Sequence, residues 1–102
     1  MKHVVLSIRD MVADLFQPPF YQPNKGAGLR AFADAVNHAG DNMLYKHPDD
    51  YALYYLGTYD DNDATFELIA RPEQLVLGRD LVEHKQHYVQ PPNMDIFNNQ
   101  QN

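Results

Sequence analysis

Cysteine is absent from this chain of 102 residues, and its absence excludes several classes of site together. There can be no disulfide, no thiolate metal site and no cysteine nucleophile, and the composition suits a reducing cytosol. Long apolar runs are missing as well. The N-terminal run at residues 4–8 is too short for the apolar region of a signal peptide or for a membrane span. We therefore expect a soluble protein that is not exported.

Basic residues are scarce, and their distribution is uneven. The formal net charge is −6 at pH 7, which disfavours simple binding to phosphate or to anionic lipid because both require a basic surface. Residues 1–40 hold four basic and three acidic residues, a net charge of +1, whereas residues 41–83 hold three basic and ten acidic residues, a net charge of −7. Any contact with a polyanion is therefore expected within the N-terminal part.

The sequence also lacks the motifs of common enzyme and cofactor sites. No GxxxxGK[ST], GxGxxG or GxSxG pattern occurs, so a phosphate loop, a dinucleotide site and a nucleophile elbow have no support. The acidic run at residues 60–63 fails the spacing of an EF-hand, because Ala64 and Arg71 stand where ligands belong. His84 and His87 form an HxxH that lacks a third ligand. We expect no enzymatic activity, no metal and no cofactor.

Four of the seven tyrosines lie in one stretch, residues 51–59. With the period of two that a strand imposes, Tyr51, Tyr55 and Tyr59 fall on one face and Tyr54 on the other. Neither face is charged, which predicts a central strand that is covered on part of each face. The acidic run that follows predicts a turn, and the alternation of residues 64–69 predicts a hairpin partner.

Two further strands are predicted before this stretch, at residues 2–9 and 12–17. The second is expected to end at Pro18-Pro19, since proline provides no amide hydrogen for a sheet. Phe20 and Tyr21 would then lie in a loop bracketed by prolines. They would form either a lid on the core or a contact surface.

The main helix is predicted at residues 27–39, where apolar residues recur at the spacing of one helix face. Asn24 can cap its start, and Gly40 is expected to stop it. Pro72 predicts the first turn of a short helix after the last strand.

These elements predict a small α+β fold of order ββαββ, an antiparallel sheet with the main helix packed on one face. Residues 1–83 would form the single domain. Residues 84–102 are rich in glutamine and asparagine, and they are expected to form a flexible polar tail.

The remaining candidate site combines aromatic and basic side chains, and it includes Phe16. Single-stranded nucleic acid is held by stacking of bases on exposed rings beside cations, whereas core residues are the alternative interpretation of the same rings. The candidate nucleic-acid contacts are Arg9, Phe20, Tyr21, Lys25, Arg30 and Tyr54.

Several segments together resemble a known family: SIRD, PPFYQ, GxGLRAF followed by VN, and YKHPDDYALYYLGTYDD. The sequence is similar to the small non-structural protein of gokushoviruses, single-stranded DNA phages of the microvirus group, over residues 7–61. The resemblance implies a protein that is made in the cytoplasm of the infected bacterium, is absent from the virion and serves viral single-stranded DNA replication as a DNA-binding protein. It implies no catalytic residue.

The resulting hypothesis is a non-enzymatic phage accessory protein that binds single-stranded DNA weakly. The alternative is a protein-interaction module whose acidic half engages a host or phage replication protein. This module could be a homodimer. No membrane partner is expected.

Overall fold

The computed structural model describes residues 1–83, and the predicted tail at residues 84–102 lies outside them. Within that range the strands are β1 (Lys2–Asp10), β2 (Leu15–Phe16), β3 (Phe20–Gln22), β4 (Tyr51–Asp60) and β5 (Thr65–Leu77), and the helices are α1 (Lys25–Asn37) and α2 (Met43–Lys46). Short 3₁₀ turns occupy Pro48–Asp50 and Gly78–Leu81.

The strands form one antiparallel sheet in the order β2-β1-β4-β5, and β3 pairs with β1 on the same edge as β2. The predicted α+β class, the antiparallel sheet and the single main helix are therefore confirmed. The tyrosine-rich strand β4 is central, as its apolar faces predicted. The order ββαββ is matched only in part, because a third strand precedes α1.

The predicted strand at residues 12–17 is largely wrong, because a turn occupies its first half. The Asp10 carboxylate accepts hydrogen bonds from the backbone N–H groups of Val12 and Ala13, at 3.1 and 3.0 Å. Asp14 adopts a φ of 61° and closes the turn with a bond from its N–H to the Asp10 carbonyl. Only the two residues of β2 remain in a strand.

The loop predicted after Pro18-Pro19 is also wrong. The chain stays along the edge of β1, where the Gln17 N–H donates to the Ile8 carbonyl at 2.8 Å, and it resumes pairing as β3. Proline is tolerated at a sheet edge because its nitrogen can face away from the neighbouring strand.

Helix α1 begins slightly earlier than predicted. The Asn24 side chain accepts a hydrogen bond from the Ala27 N–H at 2.8 Å, which satisfies one of the free donors at the helix start. The helix ends at Asn37, before the predicted stop at Gly40.

The core lies between α1 and the sheet. Its fully or nearly buried members are Leu6, Phe32, Val36, Tyr51 and Leu53. The two helix residues are four apart, so they lie on one face of α1, as the apolar spacing predicted.

Strand β5 contradicts the short helix predicted at Pro72, because it continues to Leu77. Tyr55 of β4 pairs with Glu73, and Gly57 pairs with Leu68, so the residues between them in β5 form an irregular stretch. Pro72 falls in this stretch on the outer strand of the sheet, where its missing N–H removes no bond to β4.

Strand β4 contains one residue more than β1 across their pairing. Val5 pairs with Gly57, whereas the next residue, Leu6, pairs with Tyr55. Leu56 is thus the extra residue of a β-bulge, and Gly57 beside it has a φ of 146° that favours glycine.

The bulge moves Tyr59 to the opposite face of the sheet from the predicted one. Tyr59 pairs with His3 and Tyr54 pairs with Ser7, and these two partners lie on one face of the regular strand β1. Tyr59 therefore shares a face with Tyr54, and the prediction that it lies with Tyr51 is wrong.

Candidate functional site

The sheet face that points away from α1 carries a group of aromatic rings, which we call the aromatic face. Phe16 is 40% exposed, Tyr21 45% and Phe66 51%, so these rings are accessible from outside the protein. Strand pairing brings the rings together from β2, β3, β4 and β5. The members of the aromatic face are Phe16, Tyr21, Tyr54, Tyr59 and Phe66, with His3 and Arg9 beside them.

One cluster of this face surrounds Phe16. The Phe16 and Tyr54 rings meet edge to face, with centroids 5.1 Å apart and an interplanar angle of 86°. The Arg9 guanidinium lies 5.0 Å from the centroid of the Phe16 ring. The Tyr54 hydroxyl donates to the Gln74 side chain at 3.3 Å. Edge-to-face and cation–π contacts both orient rings, so this cluster has a defined shape.

A second cluster surrounds Tyr59. Its ring centroid lies 4.8 Å from that of Phe66, 5.6 Å from that of Tyr21 and 6.3 Å from that of His3. The three contacts come from three different strands. Tyr59 therefore links the two edges of the sheet on this face.

The basic groups on and beside the aromatic face lie next to acids. Arg9 forms an ion pair with Asp14. His3 Nε2 lies 2.8 Å from Asp61 Oδ2, and the amino group of Met1 donates to Asp61 Oδ1 at 2.7 Å. The bond from the Met1 amino group, followed by that from His3, lowers the pKa of Asp61 below its usual 3.8. The surface is thus polarised, with Arg9 near one cluster and an acidic turn near the other.

Three of the predicted contact residues are brought together on this face. Arg9 lies in β1 on the same face as Val5 and Ser7. Tyr21 and Tyr54 pair with Val5 and Ser7, so both rings share that face. The sequence predicted that Tyr54 and Tyr51 lie on opposite faces of their strand, and this pairing agrees with that prediction.

The other three predicted residues lie elsewhere. Phe20 pairs with Leu6 and packs against the core, so it occupies the lid position that the sequence left open. The Lys25 ammonium lies 4.2 Å from the centroid of the Tyr55 ring, on the α1 side of the sheet. Arg30 is exposed on α1.

Sequence reasoning missed Tyr59, Phe66 and His3. Tyr59 was assigned to the wrong face because a regular period of two was assumed. The available signal was Gly57, since a glycine inside a strand pattern often marks a bulge. Phe66 and His3 follow once Tyr59 is placed, because both pair with it.

Other site types find no geometry in the part of the chain that the structure describes. No group of three His, Asp or Glu side chains in residues 1–83 is arranged to hold a metal ion. The same residues enclose no pocket. None of their helices is both long and apolar enough to cross a bilayer.

Comparison with known proteins supplies a family match. The model of a family described as Phage ORF5 protein matches residues 3–81, which is more than half of the chain. No curated protein and no solved structure matches it. The matched region contains β1 except for its first residue, the other four strands, both helices and every member of the aromatic face. The chain therefore belongs to the Phage ORF5 protein family.

Proposed function

We propose that this phage protein is a non-catalytic accessory of viral DNA replication that binds single-stranded DNA weakly through the aromatic face. The observation that carries the proposal is the set of accessible rings on one face of the sheet, with Phe16, Tyr21 and Phe66 each at least 40% exposed. Rings presented on a sheet are a common means of holding unpaired bases.

The chemistry favours stacking over phosphate contacts. Arg9 is already held by Asp14, and the protein carries a net charge of −6. Stacking of a base on an aromatic ring contributes about 1–3 kcal/mol of binding free energy, whichever base it is. A strand bound in this way would lie toward Arg9 and away from Asp61, whose carboxylate would repel the phosphates.

The setting of the proposal comes from the family. Membership of a phage family and the resemblance to the small non-structural protein of gokushoviruses support a role during infection. In that role the protein acts in the cytoplasm of the host bacterium and stays outside the virion.

The direct test is fluorescence anisotropy of a labelled oligothymidine, titrated with the protein at low and moderate salt. We expect binding in the range of tens of micromolar at low salt. Its logarithmic salt slope should be about −0.7 to −1.4, as expected for one or two phosphate contacts on a single strand. Absence of binding at low salt would refute the proposal and favour an acidic module that engages a replication protein.

A matched pair of variants locates the interface. Arg9→Gln removes a cation from the aromatic face, and Arg30→Gln makes the same change on the exposed side of α1. We expect the first to weaken binding and the second to leave it unchanged. The reverse result would place the DNA on the helix side of the sheet.

A further inference from the structure

The two edges of the sheet differ in how well they can accept another strand. One edge consists of β2 and β3, which Pro18-Pro19 interrupts. The other edge is β5, a strand of 13 residues, and no strand within residues 1–83 pairs with its outer side. Because a free edge presents unpaired backbone groups, β5 is the edge suited to strand addition.

The free edge carries large apolar side chains. Phe66 is 51% exposed, Leu68 63% and Ile69 38%. Phe66 and Leu68 pair with Tyr59 and Gly57, so both lie on the aromatic face. Exposed apolar residues on a long edge strand favour contact with another chain.

The middle of β5 also lacks register partners among residues 1–83. Gly57 pairs with Leu68 and Tyr55 pairs with Glu73, which leaves residues 69–72 of β5 opposite the single residue Leu56. These four residues therefore have no register partner in β4. A strand laid along the outer side of β5 could pair with their outward-facing backbone groups.

We propose that β5 pairs with β5 of a second copy of this chain, in an antiparallel register centred on Ile69. In this register Leu68 lies opposite the partner's Ala70. Glu67 lies opposite the partner's Arg71, and by symmetry the contact occurs twice. Residues 65–68 of each copy, which pair regularly with β4, would then lie opposite residues 70–73 of the other copy, which include most of the irregular stretch.

Charge selects this register. Glu67 lies 3.6 Å from Lys2 in an exposed pair, and Arg71 has no ion pair within residues 1–83. Opposite charges that face each other across strands are stabilising, and like charges are destabilising. A register centred on Leu68 would place Glu67 opposite the partner's Ile69 and would lose both charge pairs.

The pairing would extend the sheet of one copy into that of the other. Two identical antiparallel neighbours are related by a two-fold axis perpendicular to the sheet, so both aromatic faces would lie on the same side. Phe66 of each copy would lie near the junction. The inference depends on β5 alone and holds whether or not the aromatic face binds DNA.

Because the chain has no cysteine, a single introduced one reports the symmetry axis directly. Residues opposite each other in antiparallel strands have Cα atoms about 4.5–5.5 Å apart, within the roughly 4.4–6.8 Å that a disulfide requires. We expect Ile69→Cys to oxidise to a covalent dimer under mild conditions. Arg30→Cys, on the exposed side of α1, should form far less of it. Equal crosslinking of the two variants would overturn the register.

Charge exchange tests the same register without a crosslink. Sedimentation equilibrium of the full chain should show a dimer whose Kd rises roughly tenfold with E67R and with R71E, because each change creates two like-charge contacts. The double variant E67R/R71E should return the Kd to within about twofold, although it does not restore the contact with Lys2. A chain that stays monomeric at high concentration, or a dimer indifferent to the single changes, would overturn the inference.

Discussion

Gly57 and Leu68 face each other across β4 and β5 so closely that a Cβ added to Gly57 would lie 2.7 Å from Leu68 Cα. Gly57 also has a φ of 146°, a conformation that side chains disfavour. We expect Gly57→Ala to lower the free energy of unfolding by about 2–6 kcal/mol, from backbone strain and from steric overlap together. Urea unfolding followed by circular dichroism would measure the change.

Gly40 provides the matched control for this prediction. Its φ is 133°, but no atom lies within 4 Å of an added Cβ. Gly40→Ala should therefore cost only the backbone strain, about 1–3 kcal/mol. Equal losses in the two variants would mean that the close approach of β5 contributes nothing.

The sequence predicted well what depends on local spacing. Phe32 and Val36 lie on the buried face of α1 as their separation required, and Asn24 caps the helix. The central position of β4 followed from its two apolar faces. Such features depend on residues that are near in sequence, so the period alone identifies them.

Predictions failed where tertiary contacts set the backbone. Pro72 predicts a helix start locally, but the edge position of β5 tolerates it in a strand. The bulge at Leu56 exists only relative to β1, and it changed the face of Tyr59. Because Tyr59 was assigned to the wrong face, the predicted site also lacked Phe66 and His3, which pair with it. A single inserted residue therefore had a larger effect on the functional interpretation than any misplaced element boundary.

Tyr54 should contribute to DNA binding through its ring. We expect Tyr54→Ala to weaken oligothymidine binding roughly 5- to 150-fold, which corresponds to the loss of about 1–3 kcal/mol of stacking. Tyr54→Phe keeps the ring and removes only the bond to Gln74, so its affinity should stay within about threefold. Anisotropy titrations measure both. Equal losses in the two variants would assign the effect to the hydroxyl instead of the ring.

Asp61 should make stability depend on pH at both ends of the range. Its pKa is lowered from 3.8, so its contribution is present above that value and is lost as the pH falls through the folded-state pKa. The pKa of the Met1 amino group is raised from 8.0, chiefly by Asp61, so that contribution is present below 8.0 and is lost as the pH rises through the raised value.

Asp61→Asn should therefore lower the urea midpoint most near neutral pH, and the difference should shrink toward both acid and alkaline pH. Lys2→Gln serves as the control. Lys2 contacts Glu67, so this substitution removes a neighbouring positive charge without changing the contacts of Asp61. If it reproduced the same pH profile, general electrostatics would explain the effect.

Tyr51 should ionise at a pH above the usual range of a tyrosine. It is 5% exposed, and burial, followed by the nearby charges of Asp10 and Asp50, raises its pKa above 10.0. Because the folded-state pKa is raised, the contribution to stability is fully present below 10.0 and is lost as the pH rises through the folded-state value. Alkaline unfolding should begin in that range, since ionising Tyr51 places a charge in the core.

The measurement is an ultraviolet titration of tyrosinate absorbance, compared between the native protein and two phenylalanine variants. Tyr51→Phe should remove a late component equal to one of the seven tyrosines and should raise the pH at which the protein unfolds. Tyr21→Phe, which changes a ring that is 45% exposed, should leave the late component intact. A native titration without a late component would show that solvent reaches Tyr51. In that case β4 and α1 would not pack closely enough to exclude water from Tyr51.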